Sequence, residues 1–179
     1  LSDTLTLVGG LSYQQRKSLA ARNFGTHAGS PSVPTLYDEP GGSNNAVNAQ
    51  LGLFQKAGAG QARLTVASKS RFATMMERYS TRFGTVIPNP DLKAERARHY
   101  EIGYAGPVAP GWSVDAALFR SDIRDSIQTV AIPVQSGCGT ACSQPQNIAK
   151  ARATGLELGL QGDLGPVQLM GNYTWLERK

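Results

Sequence analysis

Apolar and polar residues alternate along most of this chain, and the alternation predicts strands. From Asp3 to about Gln15, Leu5, Leu7, Leu11 and Tyr13 share one face, while Thr4, Thr6, Ser12 and Gln14 share the other, with Val8 out of phase. Period two is the spacing of a strand with one apolar side. A second strand follows over Ala46–Lys56, with Val47, Ala49, Leu51 and Leu53 in phase and Phe54 out of it. A third covers Ala62–Ser70 through Leu64 and Val66, and a fourth covers His99–Gly106 through Tyr100, Ile102 and Tyr104. The fifth begins at Trp112 with Val114, Ala116 and Leu118. It loses phase near Arg120, where Asp122, Arg124 and Asp125 mark a bulge or emergence into solvent, and continues as a β-rich stretch from Ile127 to Val134. The sixth strand sets Leu156, Leu158, Leu160 and Leu164 against Glu157, Gln161 and Asp163. The seventh sets Val167, Leu169, Tyr173 and Trp175 against Gln168, Asn172 and Thr174, with Met170 the misfit.

The connections alternate in length. Gly58-Ala59-Gly60, Ala109-Pro110-Gly111 and Leu164-Gly165-Pro166 are tight turns. The others are long and polar, and the first of them, Arg16 to Asn44, shows no sustained period and reads as loop. Strict short–long alternation places every long loop at one end of an all-β, up-and-down antiparallel sheet of about seven strands. Tyr13, Tyr100, Tyr173 and Trp175 fall toward that loop end on the apolar face, and Trp112 falls at the turn end. Aromatic rims and one-sided long loops are marks of a transmembrane β-barrel. Alternation and turns alone also permit a soluble or surface-exposed β-sandwich that binds a protein or glycan. The two differ in the leucine face, which a sandwich buries against a second sheet and a barrel wall presents to lipid.

The long connection after the third strand is centred on Asn89-Pro90-Asp91-Leu92-Lys93-Ala94-Glu95-Arg96. Pro88 and Pro90 remove backbone donors and push the residues before them into extended conformations, while Asn89 and Asp91 favour short turns. A fixed, compact corner is expected, with Leu92 at least partly buried. These residues carry a family resemblance. Arg71-Phe72, Glu77-Arg78-Tyr79-Ser80, Asn89-Pro90-Asp91-Leu92-Lys93, Glu95 and Tyr100-Glu101-Ile102-Gly103-Tyr104 together resemble the barrel of a TonB-dependent outer-membrane receptor. A second box, Asn147-Ile148 through Ala151 to Gly155-Leu156-Glu157-Leu158, follows at a fitting distance. Ala94 stands where the family usually has proline.

The resemblance implies import of a ferric siderophore or similar metal chelate across the bacterial outer membrane, driven by the TonB complex through an N-terminal plug. It also implies that residues 1–179 are a fragment of the barrel domain, without the plug or the remaining strands. Plugged transporters close with about 22 strands. Ligand contacts would come from the long loops, where Arg78, Tyr79 and Arg82 can meet an anionic chelate; corner packing and rim solvation are the plainer roles for the same residues. Haem-taking relatives often carry a histidine ahead of the Asn-Pro box. None lies between Phe72 and Asn89; His99 comes later, and His27 sits on another long loop. The oxidising surface compartment favours a loop-closing disulfide between Cys138 and Cys142 over free thiols. Outer-membrane lipid is the expected partner of the apolar face, and an isolated seven-stranded piece with open edges is expected to self-associate.

Composition changes this picture little. Apolar residues make up 40% and charged residues 17% of 179, the latter below the usual quarter or so. A mean hydropathy of −0.28 is compatible with barrel strands, which alternate rather than run apolar. The net charge of +5 is dispersed, with no aromatic-interleaved basic stripe, so nucleic acid is not an expected partner. No cofactor or enzymatic activity is expected either. There is no His-Glu-x-x-His, no Gly-x-Ser-x-Gly elbow and no glycine-rich strand-to-helix turn. Glu157 and Asp163 read as polar wall of a lumen.

Overall fold

Each alternating stretch becomes a strand, and most strands run past their alternating centres. The computed structural model describes residues 4–25, 34–134, 138 and 141–179. In chain order the elements are β1 (Leu5–Lys17), β2 (Ala21–Gly25), β3 (Thr35–Glu39), β4 (Ser43–Ala57), β5 (Gly60–Arg71), α1 (Met75–Tyr79), a 3₁₀ turn (Arg82–Gly84), β6 (Glu95–Ala109), β7 (Trp112–Ile132), β8 (Cys142–Leu164) and β9 (Val167–Arg178). Seven strands form one sheet in the order β1-β4-β5-β6-β7-β8-β9, every neighbouring pair antiparallel. The fold is all-β and up-and-down. Its short connections hold Gly58, Gly111 and Gly165 at φ of 61°, 73° and 62°, the left-handed region that glycine enters without steric cost.

The register sorts the side chains onto two faces. Leu7, Leu53, Leu64, Ile102, Leu118, Leu156 and Trp175 are successive cross-strand partners, one apolar row from edge to edge. Among the described residues nothing covers this row: Leu64, Ile102, Leu118 and Trp175 are 47%, 59%, 56% and 49% exposed. A sandwich would have buried it. The adjacent rung, on the opposite face, reads Val8, Gly52, Thr65, Glu101, Phe119, Gly155 and Leu176. At Gly155 the backbone approach is close, because a Cβ there would lie 2.6 Å from Trp175 O and collide with the Phe119 ring.

Two features depart from expectation. The stretch from Arg16 to Asn44 is not all loop, because β2 and β3 pair with each other as a small second sheet. Five-residue strands give too little alternation to register. Their pairing rests on cross-strand contacts instead: Phe24 opposite Leu36, an Arg22–Asp38 ion pair at 2.9 Å and an Asn23–Glu39 hydrogen bond at 2.9 Å. Second, β7 and β8 reach 21 and 23 residues, against the roughly 9–11 that cross a bilayer. Their distal halves therefore run past the part that crosses the hydrocarbon layer, where lipid no longer enforces strict alternation. The loss of phase after Arg120 is that transition. A register shift follows between Ile123 and Ser126, with Asp125 at φ 55°.

Candidate functional site: the loop-end corner and the inward face

The connection between β5 and β6 folds back as a compact corner. Thr74 opens α1 with a capping box, its hydroxyl accepting from the Glu77 amide at 3.2 Å while the Glu77 carboxylate accepts from the Thr74 amide at 2.7 Å. Arg71 clamps the two ends of the connection. Its Nη atoms donate to both Glu77 oxygens at 3.0 Å, and its Nε donates to Glu95 at 2.6 Å. Glu95 also accepts from the Ile127 amide at 2.7 Å, which ties in β7. The Arg71 bond, with the Ile127 amide behind it, holds the Glu95 carboxyl below its ordinary range. For Glu77, burial pushes upward, but its bonds to Arg71 and Thr74 win and the net shift is downward. The two carboxylates raise Arg71 in turn, Glu95 more than Glu77.

The far side of the corner is fastened across the sheet. Leu92 is 1% exposed, and its carbonyl accepts from Arg78 Nη2 at 3.0 Å and from Asn44 Nδ2 at 2.9 Å. Asn147 accepts from the Lys93 amide at 2.8 Å and donates to the carbonyls of Lys93 and Asp125 at 3.1 and 2.7 Å. Thr85–Ile87 pairs with the start of β8 through Ile87 N to Ser143 O at 2.9 Å and Ser143 N to Thr85 O at 3.0 Å. Arg16 reaches Ala73 O at 3.0 Å. The corner thus spans the loop end from β1 to β8.

Arg78 and Tyr79 lie inside this corner, at 3% and 5% exposure. Tyr79 donates to Pro40 O at 3.1 Å, and its own carbonyl accepts from Asn23 at 2.6 Å, which seats the β2–β3 hairpin. Arg78 donates to the Leu92 carbonyl; among the described residues its buried Nε has no hydrogen-bond partner and no carboxylate pairs with it. Arg82 is exposed on the 3₁₀ turn. The structure does not bring these three into one pocket, and His27 lies outside the described residues. Cys138 and Cys142 are joined by a disulfide, with Cα atoms 5.5 Å apart.

The inward face carries a concavity of about 510 Å3, bordered by Lys69, His99, Glu101, Val8, Phe54 and Phe119. His99 Nδ1 lies 2.7 Å from Ser121 Oγ, and Arg63 bridges β6 and β7 through Glu101 at 2.8 Å and Asp115 at 2.9 Å. Val8 and Phe54, out of phase in the sequence pattern, join Phe119 as apolar members of this wall. Among the described residues no group of three or more His, Cys, Asp or Glu side chains is placed to hold a metal.

An exposed apolar row, an opposite polar face, long connections at one end and aromatic rims together define one arc of a membrane β-barrel wall. The family described as TonB dependent receptor-like, beta-barrel matches residues 1–179, and the chain belongs to it. Heme/hemopexin utilization protein C of Haemophilus influenzae is 32% identical over 124 residues, covering 58% of this chain and 18% of that protein. The FrpB iron transporter of Neisseria meningitidis superposes with a TM-score of 0.72 at 19% identity, over 100% of this chain and 24% of that one. The hemophore receptor HasR of Serratia marcescens, solved with its hemophore HasA and heme, gives 0.69 at 20% identity, over 97% of this chain and 32% of that one. The chain therefore spans under a fifth of the curated relative and between about a quarter and a third of these solved ones.

Proposed function

We propose that residues 1–179 are part of the barrel of a receptor that takes up an iron chelate across the bacterial outer membrane, energised by the TonB complex acting on a plug domain outside these residues. The family match over the whole chain carries this reading. The uncovered apolar row supports its membrane half. The work is transport, and the chain's part in it is to form wall and loop-end rim rather than to do chemistry.

A ferric siderophore is the first ligand reading. Arg82 is an exposed loop cation placed to meet an anionic chelate, while Arg78 and Tyr79 act indirectly, by fixing the corner that presents it. Haem is the second, favoured by the 32% identical haem-utilization relative and by His99 on the inward face. Growth of an iron-starved host lacking the gene, given ferric siderophores or haemin as sole iron source, tests both. Loss of growth on one source, restored by the gene, is the expected result. Unchanged growth and unchanged iron uptake on every source would overturn the iron reading.

A further inference from the structure

The outward face carries a cluster of positive charge above its apolar row. Above the apolar row, the same register continues as Tyr100, Arg98 and Arg96 on β6 and as Arg120, Asp122 and Arg124 on β7. Arg96 stands directly opposite Arg124, and Arg98 opposite Asp122, whose other neighbour is Arg152 on β8. Like charges directly opposite one another weaken a sheet. Asp122 does not relieve the pair, because its oxygens already accept from Arg120 at 2.8 and 3.2 Å and from Arg152 at 2.8 Å. Among the described residues, no hydrogen bond or ion pair engages the guanidinium of Arg96, Arg98 or Arg124. These three line a concave site of about 280 Å3 with Ser68, Asp122 and Asp125. With Arg120 and Arg152 beside it, five arginines and two aspartates leave the patch at +3.

Its height on the wall is informative. Amphipathic rings such as Tyr100 sit at headgroup level. Arg98 and Arg96 lie two and four residues further on, about 7 and 13 Å along the strand before tilt. They face sideways from the wall, with Leu118 and Leu156 on the same face below them. A free anion would need only the arginines; this arrangement puts cations and an acyl-sized apolar surface in one column. We propose that Arg96, Arg98 and Arg124 bind the phosphate of an anionic lipid headgroup packed against the outer wall, in the leaflet on the long-loop side. The guanidinium fork suits phosphate oxygens in pairs, and a bound phosphate removes the Arg96–Arg124 repulsion. This rests on the membrane-barrel reading above.

The test uses the full-length receptor in neutral detergent, offered phosphatidic acid and diacylglycerol with the same acyl chains, with retained lipid read by native mass spectrometry. Wild type should retain phosphatidic acid in preference, and inorganic phosphate at equal concentration should not displace it. Near an anionic surface each arginine contributes roughly fivefold, so the R96Q/R98Q/R124Q variant should lose on the order of a hundredfold in retention. Folding of the variant is checked by its heat-dependent gel mobility. The R96Q/R124Q pair, which removes only the repelling arginines, is the gentler second variant and should lose about twenty-fivefold. Equal retention of the two lipids by wild type, displacement by inorganic phosphate, or equal retention by folded wild type and variants would each overturn the inference. A receptor that fails to enter lipid vesicles at all would sink the membrane reading too, whereas one that inserts and ignores the phosphate sinks only this inference.

Discussion

Replacing Leu92 by alanine isolates what holds the corner. Its side chain is 1% exposed, and its carbonyl is where the Arg78 and Asn44 side chains converge. Truncation removes about three methylene equivalents, or roughly 2.4 kcal/mol of transfer energy. The cavity left behind brings comparable leucine-to-alanine changes to about 3–5 kcal/mol. The strand ladders are untouched, so the loss should appear as local opening and not as unfolding of the barrel. Taking about 3 kcal/mol, amide exchange of the corner should quicken by roughly 150-fold where exchange follows the opening equilibrium. The informative amides are those of Arg78 and Asn89, bonded to Thr74 O at 3.1 Å and Arg78 O at 2.8 Å. Hydrogen exchange on the receptor in detergent reads this directly, with Leu11→Ala, at a site 78% exposed on the lipid face, as the control. Corner exchange within a few-fold of wild type, or an equal rise in the β4–β8 ladders, would refute the reasoning.

Glu77 and Glu95 have lowered folded-state pKa values, so their stabilisation is fully present above the unfolded value of about 4.3 and is lost as pH falls through the folded values. Exchange protection of the corner, corrected for intrinsic rates, should hold from pH 7 to 5 and fall only in more acid buffer; a midpoint near pH 6 would contradict the Arg71 clamp. Gly155→Val places a branched side chain against the Phe119 ring and Trp175 O and should destabilise the β7–β8–β9 region by about 1–3 kcal/mol, read as a lower temperature for the shift in gel mobility. Residues 1–179 expressed alone should associate in detergent-free buffer, because β1 and β9 end the sheet as open edges and the apolar row is uncovered. A monodisperse monomer by light scattering would count against the lipid-face assignment.

The seven wall strands were legible because a bilayer outside and a wet interior enforce period two, and Leu156, Leu158 and Leu160 keep it without exception. Legibility faded where that cause fades. The distal parts of β7 and β8 and the short β2 and β3 lie outside that lipid-and-water regime, so their pairing left no hydrophobic pattern to follow. Thr74-x-x-Glu77 carried a readable capping signal for α1, which the surrounding prolines and turn residues overshadowed. Arg78 and Tyr79 stood out in the sequence as polar loop residues of a recognisable box. Corner packing was one of the plainer roles expected for them, and the structure places them there; the sequence did not convey which groups meet them, since Pro40, Asn44 and Leu92 come from separate segments. The arginine patch was visible as Arg96-x-Arg98 in the phase of Tyr100, but only the cross-strand register brings Arg124 opposite.

The central claim is that one face of this sheet meets lipid and the other meets water. Single spin labels placed in turn at residues 156 to 161 of β8, in the receptor reconstituted into vesicles, test it through their collision rates with oxygen and with a water-soluble nickel chelate. The account predicts a period of two: oxygen favoured at Leu156, Leu158 and Leu160, and the chelate favoured at Glu157, Gly159 and Gln161. Uniform accessibility along the six positions, or the opposite phase, would contradict it.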